Sequence, residues 1–512
     1  MLYKHPLLKR FLARANSYPK QKIIIETTGK SITTEDLAER SKTLAANLSQ
    51  LGFEKGDRVL LLVRPGIDAI TCILAVMWLG GVAVFADPGM GKDIFENRIK
   101  KANPKWVFAE SIILLLQKIP FLKKYLRIKG YEIPEFSSLG NARIIRLGFG
   151  YPGLPHSIAY KSLFKKPTAK VDISRDLQGT DEAVIVFTSG TTQLPKGVAH
   201  TISSLSDTLH KIEELSAPTS QDRFYGALPH FLLLSISIGV TAIVSRKKFS
   251  AATFMKDIEQ YRPTILFGPP AEFVEIIRYC QKNQKTMPTY VKKIFLGSAP
   301  VLSGFLRKLV GILPSDTQIK CIYGMTEILP VAVVDGREKI LWQKEGDLVG
   351  KVIDGIHFTI ASDGELMLKG PNLFRGYLDL PSQENIASGD LAKSIDGKLV
   401  LMGREKDMII RGNYNIYPGL YEPIIQQIPG VAACALIGIR DEQAEDEAII
   451  LVVEPYNLED KNVAEVVERS IRSGTYSIDI HALPDEISIM KLPRFGRQSK
   501  IDKKKLQELF KK

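Results

Sequence analysis

The chain has 512 residues, 45% hydrophobic and 24% charged, and 69 Lys and Arg against 56 Asp and Glu give a formal net charge of +13. That length allows about two to four domains and a core large enough to need neither disulfides nor a structural metal. The composition is that of a soluble globular protein and excludes fibrous, disordered and membrane-embedded classes. The positive excess suits nucleic acid, an anionic membrane surface or phosphorylated ligands. No helix-turn-helix, zinc-finger or aromatic RNA-binding signature accompanies it, so nucleic acid is set aside. Cys72, Cys280, Cys321 and Cys434 lie far apart with no C-x-x-C pair, which reads as buried thiols in a reducing cytoplasm. The first ten residues carry charge but no following apolar segment with a small-residue cleavage site, so no signal peptide is expected.

In chain order, Ile23-Ile24-Ile25 reads as a strand and Gly29 as a turn. Thr33-Thr34-Glu35-Asp36 looks like a capping box opening a helix. Leu37, Ser41, Leu44, Leu48 and Leu51 follow at helical spacing, and Gly52 ends it. Gly56-Asp57-Arg58 leads into the strand Val59 to Val63, and the alternation continues through Phe85, which indicates an α/β parallel sheet. Two uncharged runs, 69–86 and 228–245, are long enough to be mistaken for membrane spans. Gly80-Gly81 breaks the first, and the second holds Pro229, His230 and several serines, so both are read as globular core. In residues 118–129, Lys118, Lys123, Lys124, Arg127 and Lys129 interleave with Phe121, Leu122, Tyr125 and Leu126, without an acid. Such a segment suits peripheral contact with an anionic membrane or a helix covering the sheet with a solvated lysine face, and the second is preferred. Residues 148–170, rich in Gly, Pro and Lys, read as a surface connection.

Val184-Ile185-Val186-Phe187 reads as a buried strand, and the chain then breaks into Thr188-Ser189-Gly190-Thr191-Thr192-Gln193-Leu194-Pro195-Lys196-Gly197. Glycines allow close backbone approach to a ligand. Four hydroxyls and backbone N–H groups can surround phosphate oxygens, and Lys196 adds a mobile cation. The Walker spacing is absent. An ordinary Ser/Thr/Gly turn would share these residue types; the whole string, with Pro-Lys-Gly after it, favours a phosphate cradle.

Other strings follow in order: Gly297-Ser298-Ala299-Pro300 after the strand Ile294-Phe295-Leu296; Tyr323-Gly324-Met325-Thr326-Glu327; Gly364-Glu365-Leu366 with Gly370, Gly376 and Tyr377; Ser388-Gly389-Asp390-Leu391 with Gly397 and Gly403-Arg404. An aromatic face, a hydroxyl and a hard oxygen ligand in Tyr323, Thr326 and Glu327 suit a base, a phosphate and a divalent cation. Glu405-Lys406 precedes about 105 residues of smaller α+β character, and Arg497-Gln498-Ser499-Lys500 lies near the end.

In this order the strings resemble the signatures of the adenylate-forming superfamily, which includes acyl-CoA synthetases, luciferases and peptide-synthetase adenylation domains. The resemblance covers nearly the whole chain. Asp87-Pro88-Gly89-Met90-Gly91 and the Arg497-to-Lys500 string resemble the subgroup of olefin β-lactone synthetases and related fatty-acid ligases. Gln193 replaces the family's central glycine, and any left-handed backbone there would cost about 1–2 kcal/mol.

The resemblance implies a large N-terminal α/β domain of mostly parallel sheets, residues 1–403, a hinge at 404–406 centred on Lys406, and a small mobile α+β domain, 407–512. It implies that Thr188, Ser189, Gly190, Thr191, Thr192 and Lys196 hold nucleotide phosphates. Gly297, Ser298 and Ala299 wall the adenine, Tyr323 stacks on it, and Asp390 with Arg404 binds the ribose. Thr326 bonds the α-phosphate, Glu327 holds Mg²⁺, and Gly412 lies near the path of the pantetheine arm. Lys500 is preferred over Lys503, Lys504 and Lys505 as the catalytic lysine. His230 is either beside the acyl carboxylate or a satisfied core histidine, and the small side chains of 232–244 leave room for an acyl chain. The implied activity joins ATP, a medium- to long-chain fatty acid and CoA in a cytoplasmic enzyme. Alternatives keep the adenylate but load an acyl-carrier protein or close a β-hydroxy acid to a β-lactone; another is a catalytically silent nucleotide- or lipid-binding protein.

Overall fold

Among the described residues, strands and helices alternate from Lys22–Glu26 to Trp106–Glu110, which includes the alternation expected through Phe85. The computed structural model describes residues 5–86, 92–116, 139–150, 157–165, 175–187, 196–226, 229–246, 249–404, 407–411, 414–441, 446–460, 462–473, 475–476, 478, 480–495 and 500–511. Two compact units divide the chain. The first comprises residues 1–248, 326–329 and 371–384; the second comprises 249–325, 330–370 and 385–512.

In the first unit, six strands run parallel in the order Glu182–Phe187, Val82–Phe85, Arg58–Leu62, Trp106–Glu110, Arg143–Leu147, Ser157–Ala159. The antiparallel strand Gly197–Thr201 and then Gly376–Tyr377 extend the edge beside Glu182–Phe187. Leu60, Val84, Val107 and Ile185 from the sheet pack with Phe95 and Ile99 of the helix Lys92–Ala102. A further group in this unit sets Arg223–Tyr225, Thr241–Val244 and Lys22–Glu26 parallel, with Ser31–Thr33 antiparallel beside the last.

Helix Thr34–Gln50 starts where the cap was expected, and Thr33 Oγ1 accepts from Asp36 N–H at 3.1 Å. The Asp36 carboxylate takes the Thr33 hydroxyl rather than a backbone N–H. Both long uncharged runs are split: helix Ile67–Trp78 gives way to strand Val82–Phe85, and helix Pro229–Ile238 to strand Thr241–Val244. Among the described residues no helix is long and apolar enough to cross a membrane. All four cysteines are buried and free.

One expectation is corrected. Residues 148–170 are not all surface connection: Ser157–Ala159 joins the parallel sheet, and a 3₁₀ turn, Tyr160–Phe164, buries Tyr160 and Leu163. The Arg40 guanidinium lies 4.2 Å from the Phe164 ring centroid, a contact that favours order. The basic segment 118–129 and the turn 87–91 lie outside the described residues.

The second unit contains the parallel strands Ile265–Gly268, Lys293–Leu296 and Gln318–Met325. Antiparallel strands Asp347–Val352, Lys398–Arg404, Ile386–Ile395, Glu365–Lys369 and His357–Ile360 lie further along the same sheet. Residues 407–511 carry their own core on a three-stranded sheet, Val431–Asp441, Asp446–Pro455 and Glu486–Ile489. Strand periodicity divides that core between two faces. Cys434, Leu436, Leu451 and Val453 meet Ile425, Val467 and Ile471 on one side, while Ala435, Ile437, Ile450 and Val452 meet Leu492 and Leu506 on the other.

His5 precedes the first helix and is 2% exposed, and neither ring nitrogen has a hydrogen-bond partner among the described residues. Burial pushes its pKa from the ordinary 6.5 down to about 4. The unfolded imidazole therefore gains a proton first, and stability should fall as pH drops from 6.5 to about 4. The loss should total roughly 3 kcal/mol, levelling off below that window. Urea-unfolding midpoints at pH 7.5 and 5 should show the drop, and His5→Leu should remove it; an unchanged slope in that variant would show another group responsible.

Candidate active site

Strands Glu182–Phe187 and Gly197–Thr201 form a hairpin closed by the pair Phe187↔Gly197. The hydroxyl-rich string connects them, and Thr188, Ser189, Gly190, Thr191, Thr192 and Gln193 lie outside the described residues. Lys196, at the end of the string, is exposed, with Nζ 4.8 Å from the Tyr377 ring centroid. Tyr377 reaches it because Gly376–Tyr377 pairs with Val198 and Ala199. That pairing accounts for Gly197: a Cβ there would meet Leu378 Cδ1 at 2.6 Å.

The Tyr377 hydroxyl donates to Glu327 Oε1 at 2.9 Å. Burial first, then the neighbouring carboxylate, raises its pKa. Glu327 is 6% exposed, and its carbonyl accepts from Phe374 N–H at 2.7 Å. Asn372 Nδ2 donates to the Leu329 carbonyl at 2.9 Å. Residues 371–378 are thus laced to 327–329, which fixes Glu327 against the hairpin. Lys196, Thr326 and Glu327, read separately from sequence, fall in one neighbourhood of the first unit.

Thr326 is held by a residue the sequence did not single out. His200 Nε2–H donates to the Thr326 carbonyl at 2.8 Å, and Ser204 Oγ lies 3.1 Å from Nδ1. Burial lowers the His200 pKa, so the ring is neutral, with Nε2 the donor and Nδ1 the acceptor. Ser204 also caps the helix Ile202–Ser216 together with Thr201. The strand, its histidine and the helix start therefore form one preset support for Thr326.

In the second unit, Asp390 is 4% exposed and takes two donors: the Tyr323 hydroxyl on Oδ2 and Arg404 Nε on Oδ1, each at 2.7 Å. Local sequence builds this. Asp396 and Gly397, at φ 52° and 72°, form the two-residue turn between Ile386–Ile395 and Lys398–Arg404, as Asp-Gly favours. A bulge then shifts the register, so that Leu391 faces Gly403 and Ala392 faces Leu401. Met402 is the extra residue, and Asp390 comes opposite Arg404. Gly389, at φ 72°, donates its N–H to Glu365 Oε1 at 2.9 Å. Burial first, then Asp390, pushes the Tyr323 hydroxyl well above its ordinary pKa.

Gly297, Ser298 and Ala299 follow the strand Lys293–Leu296 at its C-terminal end, the end where open α/β sheets bind ligands. A Cβ on Gly297 would lie 3.2 Å from the Ile322 carbonyl, and Ser298 adopts φ 69°. A left-handed serine is uncommon and marks a constrained turn.

Lys500 lies on a two-residue strand, Lys500–Ile501, that pairs with Arg494–Phe495 and puts Phe495 opposite Lys500. Of the neighbouring lysines, Lys503 is committed elsewhere: Nζ lies 2.7 Å from Glu422 Oε1 and 3.8 Å from Asp407 Oδ2. His230 is in the first turn of Pro229–Ile238, with its side chain outside the described residues. Lys406 and Gly412 also lie outside them.

These parallel-rich sheets flanked by helices are those of a mixed α/β protein. The AMP-binding enzyme family model matches residues 11–378, and the chain belongs to that family. It is similar to the olefin beta-lactone synthetase of Stenotrophomonas maltophilia, 24% identical over 79% of this chain and 78% of that protein. It is also similar to the long-chain-fatty-acid–CoA ligase of Yersinia pestis, 24% identical over 87% of this chain and 85% of that protein. A naringenin synthase of Pestalotiopsis fici is 27% identical over 82% of this chain, which spans 16% of that longer protein. The fold matches the anthranilate CoA ligase AuaEII in complex with anthranoyl-AMP, with a TM-score of 0.81 at 16% identity, covering 100% of this chain and 98% of that one. The motif resemblance to acyl-CoA ligases and a β-lactone synthetase is borne out at the level of family.

His200→Phe would keep a ring but orphan the Thr326 carbonyl, while the Ser204 hydroxyl keeps its cap bonds with Thr201. Each buried unsatisfied group costs about 1–3 kcal/mol. Urea unfolding should report a loss in that range or above, and His200→Gln, which retains a donor, should lose less. Equal stability of all three proteins would show that the His200 bond carries no weight.

Proposed function

We propose that the protein activates a medium- to long-chain fatty carboxylic acid with ATP through an acyl-adenylate and transfers the acyl group to CoA. The observation that carries this reading is the Lys196–Tyr377–Glu327 cluster at the mouth of the hydroxyl-string hairpin, in a chain similar to a long-chain-fatty-acid–CoA ligase. The helix Pro229–Ile238, with Leu232, Leu233, Leu234 and Ile236 buried, supplies apolar lining for an acyl chain.

In the first half-reaction a substrate carboxylate oxygen bonds to the α-phosphorus of ATP. The bond from that phosphorus to the bridging oxygen breaks, and pyrophosphate leaves with the electron pair. Two anions meet, so preset cations have most effect where charge accumulates. Lys196 takes that role with the hydroxyls of Thr188, Ser189, Thr191 and Thr192, and Thr326 bonds the α-phosphate. Tyr323 and the turn 297–299 take adenine. Asp390, held by Arg404, accepts from the ribose hydroxyls, and Lys500 meets the forming acyl–phosphate bond.

A Mg²⁺ ion fits Glu327. Among the described residues no cluster of three or more His, Cys, Asp or Glu stands ready for a metal, and Mg²⁺ is commonly held by one or two carboxylates plus substrate phosphates. Tyr377 leaves most of the carboxylate's acceptor capacity open. When bound, the ion would neutralise phosphate charge.

In the second half-reaction the CoA sulfur bonds to the acyl carbon, the carbon–oxygen bond to AMP breaks, and the thiol proton passes to water. Residues 1–403 would bind nucleotide and acid. Residues 407–512, turning about 404–406, would present Lys500 and then the Gly412 region, with His230 beside the acyl carboxylate.

Pyrophosphate release from ATP, Mg²⁺ and dodecanoate, with and without CoA, tests the reading. Multiple turnovers only with CoA support it. Stoichiometric release regardless of CoA points to an absent carrier protein, and turnover restricted to 3-hydroxydodecanoate points to β-lactone closure. No release overturns acid activation. Lys500→Ala should slow adenylation by roughly 10²-fold or more yet convert supplied dodecanoyl-AMP and CoA near the wild-type rate; loss of both halves alike would refute the alternating use of the C-terminal segment. Glu327→Gln should depress adenylation and raise the Mg²⁺ concentration needed for half-maximal rate. An unchanged Mg²⁺ dependence would remove Glu327 as a ligand.

A further inference from the structure

Lys500 stands on a ladder of only two residue pairs, Arg494↔Ile501 and Phe495↔Lys500. So short a hairpin cannot hold its own geometry in water; something must fasten its base. Glu454, on the strand Asp446–Pro455 and 2% exposed, does so. Its Oε2 accepts from Arg494 Nη1 at 2.7 Å and from Leu492 N–H at 3.0 Å.

The other oxygen of the same carboxylate faces elsewhere. Glu454 Oε1 accepts from Arg278 Nη2 at 3.2 Å, and that nitrogen also donates to the Pro455 carbonyl at 2.9 Å. Arg278 belongs to the helix Pro270–Lys282. Two further contacts flank this junction. Lys308 Nζ lies 3.0 Å from the Tyr456 ring centroid. A Cβ on Gly304 would lie 2.3 Å from the Gln426 carbonyl oxygen, so the helix Ser303–Val310 meets backbone there.

We propose that Glu454 is a positioning residue for Lys500: one buried carboxylate fastens the lysine hairpin through Arg494 and ties it, through Arg278, to the helix Pro270–Lys282. The inference rests on the assignment of Lys500 made above. A bidentate junction of this kind is geometrically demanding, because a buried carboxylate between two guanidinium groups has few alternative arrangements. Docking at Arg278 and the setting of the hairpin thus share one group.

The full-length protein tests this with the two half-reactions measured separately: pyrophosphate release from ATP and dodecanoate, and thioester formation from supplied dodecanoyl-AMP and CoA. Glu454→Gln should lower kcat of adenylation by roughly 10²-fold, as a displaced catalytic group does, with KM for ATP near wild type. The thioester half should stay near wild type, which also shows that the variant is folded. Arg494→Gln leaves the Glu454–Arg278 pair intact and should show the same split, guarding against a folding defect in the first variant. In a Lys500→Ala background neither substitution should slow adenylation further. Equal loss in both halves, or additive loss with Lys500→Ala, overturns the positioning role. A crippled Lys500→Ala beside an unaffected Glu454→Gln overturns it while sparing the assignment of Lys500. Unaffected adenylation in Lys500→Ala itself removes that assignment and this inference together.

Discussion

A carboxylate buried at position 327 constrains much of the first unit. Burying a charge without partners is costly, so Glu327 requires donors that persist in the folded state. Tyr377 supplies its hydroxyl, and that demand propagates. For Tyr377 to arrive, 376–377 must pair onto the outer edge of the hairpin. The pairing requires a bare Gly197, since Leu378 occupies the space of any side chain there. Asn372 and Phe374 must then lace the same segment to 327–329. The Pro-Lys-Gly sequence is thus explained twice: its lysine lies over the tyrosine ring, and its glycine makes room for the strand that carries that ring.

The second unit meets a similar constraint at Asp390 by different means. Its two donors come from opposite directions, Tyr323 from a neighbouring segment and Arg404 from the adjacent strand. A regular antiparallel ladder from the Asp-Gly turn would bring Arg404 one position out of register with Asp390. The bulge at Met402 corrects this, at the expense of one unpaired residue. The outcome is a carboxylate fixed at both oxygens that retains acceptor capacity on each. Acceptors fixed in this way suit the ribose role proposed for Asp390, because they need no rearrangement to take a further donor.

Much of the fold was legible because its signals are local and periodic. The strand–helix alternation through Phe85, the Thr33 cap and the broken apolar runs all follow from residues near one another. The strings around Thr326, Glu327, Asp390 and Arg404 were legible as strings. What joins them was not. His200 sits in a short strand where nothing local distinguishes it, and its partner is a main-chain carbonyl 126 residues away; carbonyls leave no mark in a sequence. Tyr377 was legible only as part of an architectural Gly-Tyr pair, although a hydroxyl two residues from a buried edge could have prompted a search for a carboxylate. The strand Ser157–Ala159 was hidden because three residues carry too little periodicity to stand out among Gly, Pro and Lys.

The basic C-terminal run shows how packing resolves an ambiguity that spacing leaves open. Lys500, Lys503, Lys504 and Lys505 fall within six residues, and any of them could place a cation near an anionic intermediate. Lys503 is drawn under the helix start by Glu422 and Asp407, and their charges raise its pKa against the opposing effect of burial. Moving it to a ligand would break a half-buried pair with Glu422 and leave that carboxylate without its cation. Lys504 and Lys505 are exposed on the first turn of Lys503–Phe510, where solvent screens them and nothing fixes their long side chains. Lys500 alone of the four sits on a strand, where backbone pairing sets the direction of its side chain. Under the reading proposed above, that strand supplies Lys500 with a fixed root from which its long side chain reaches a reacting bond.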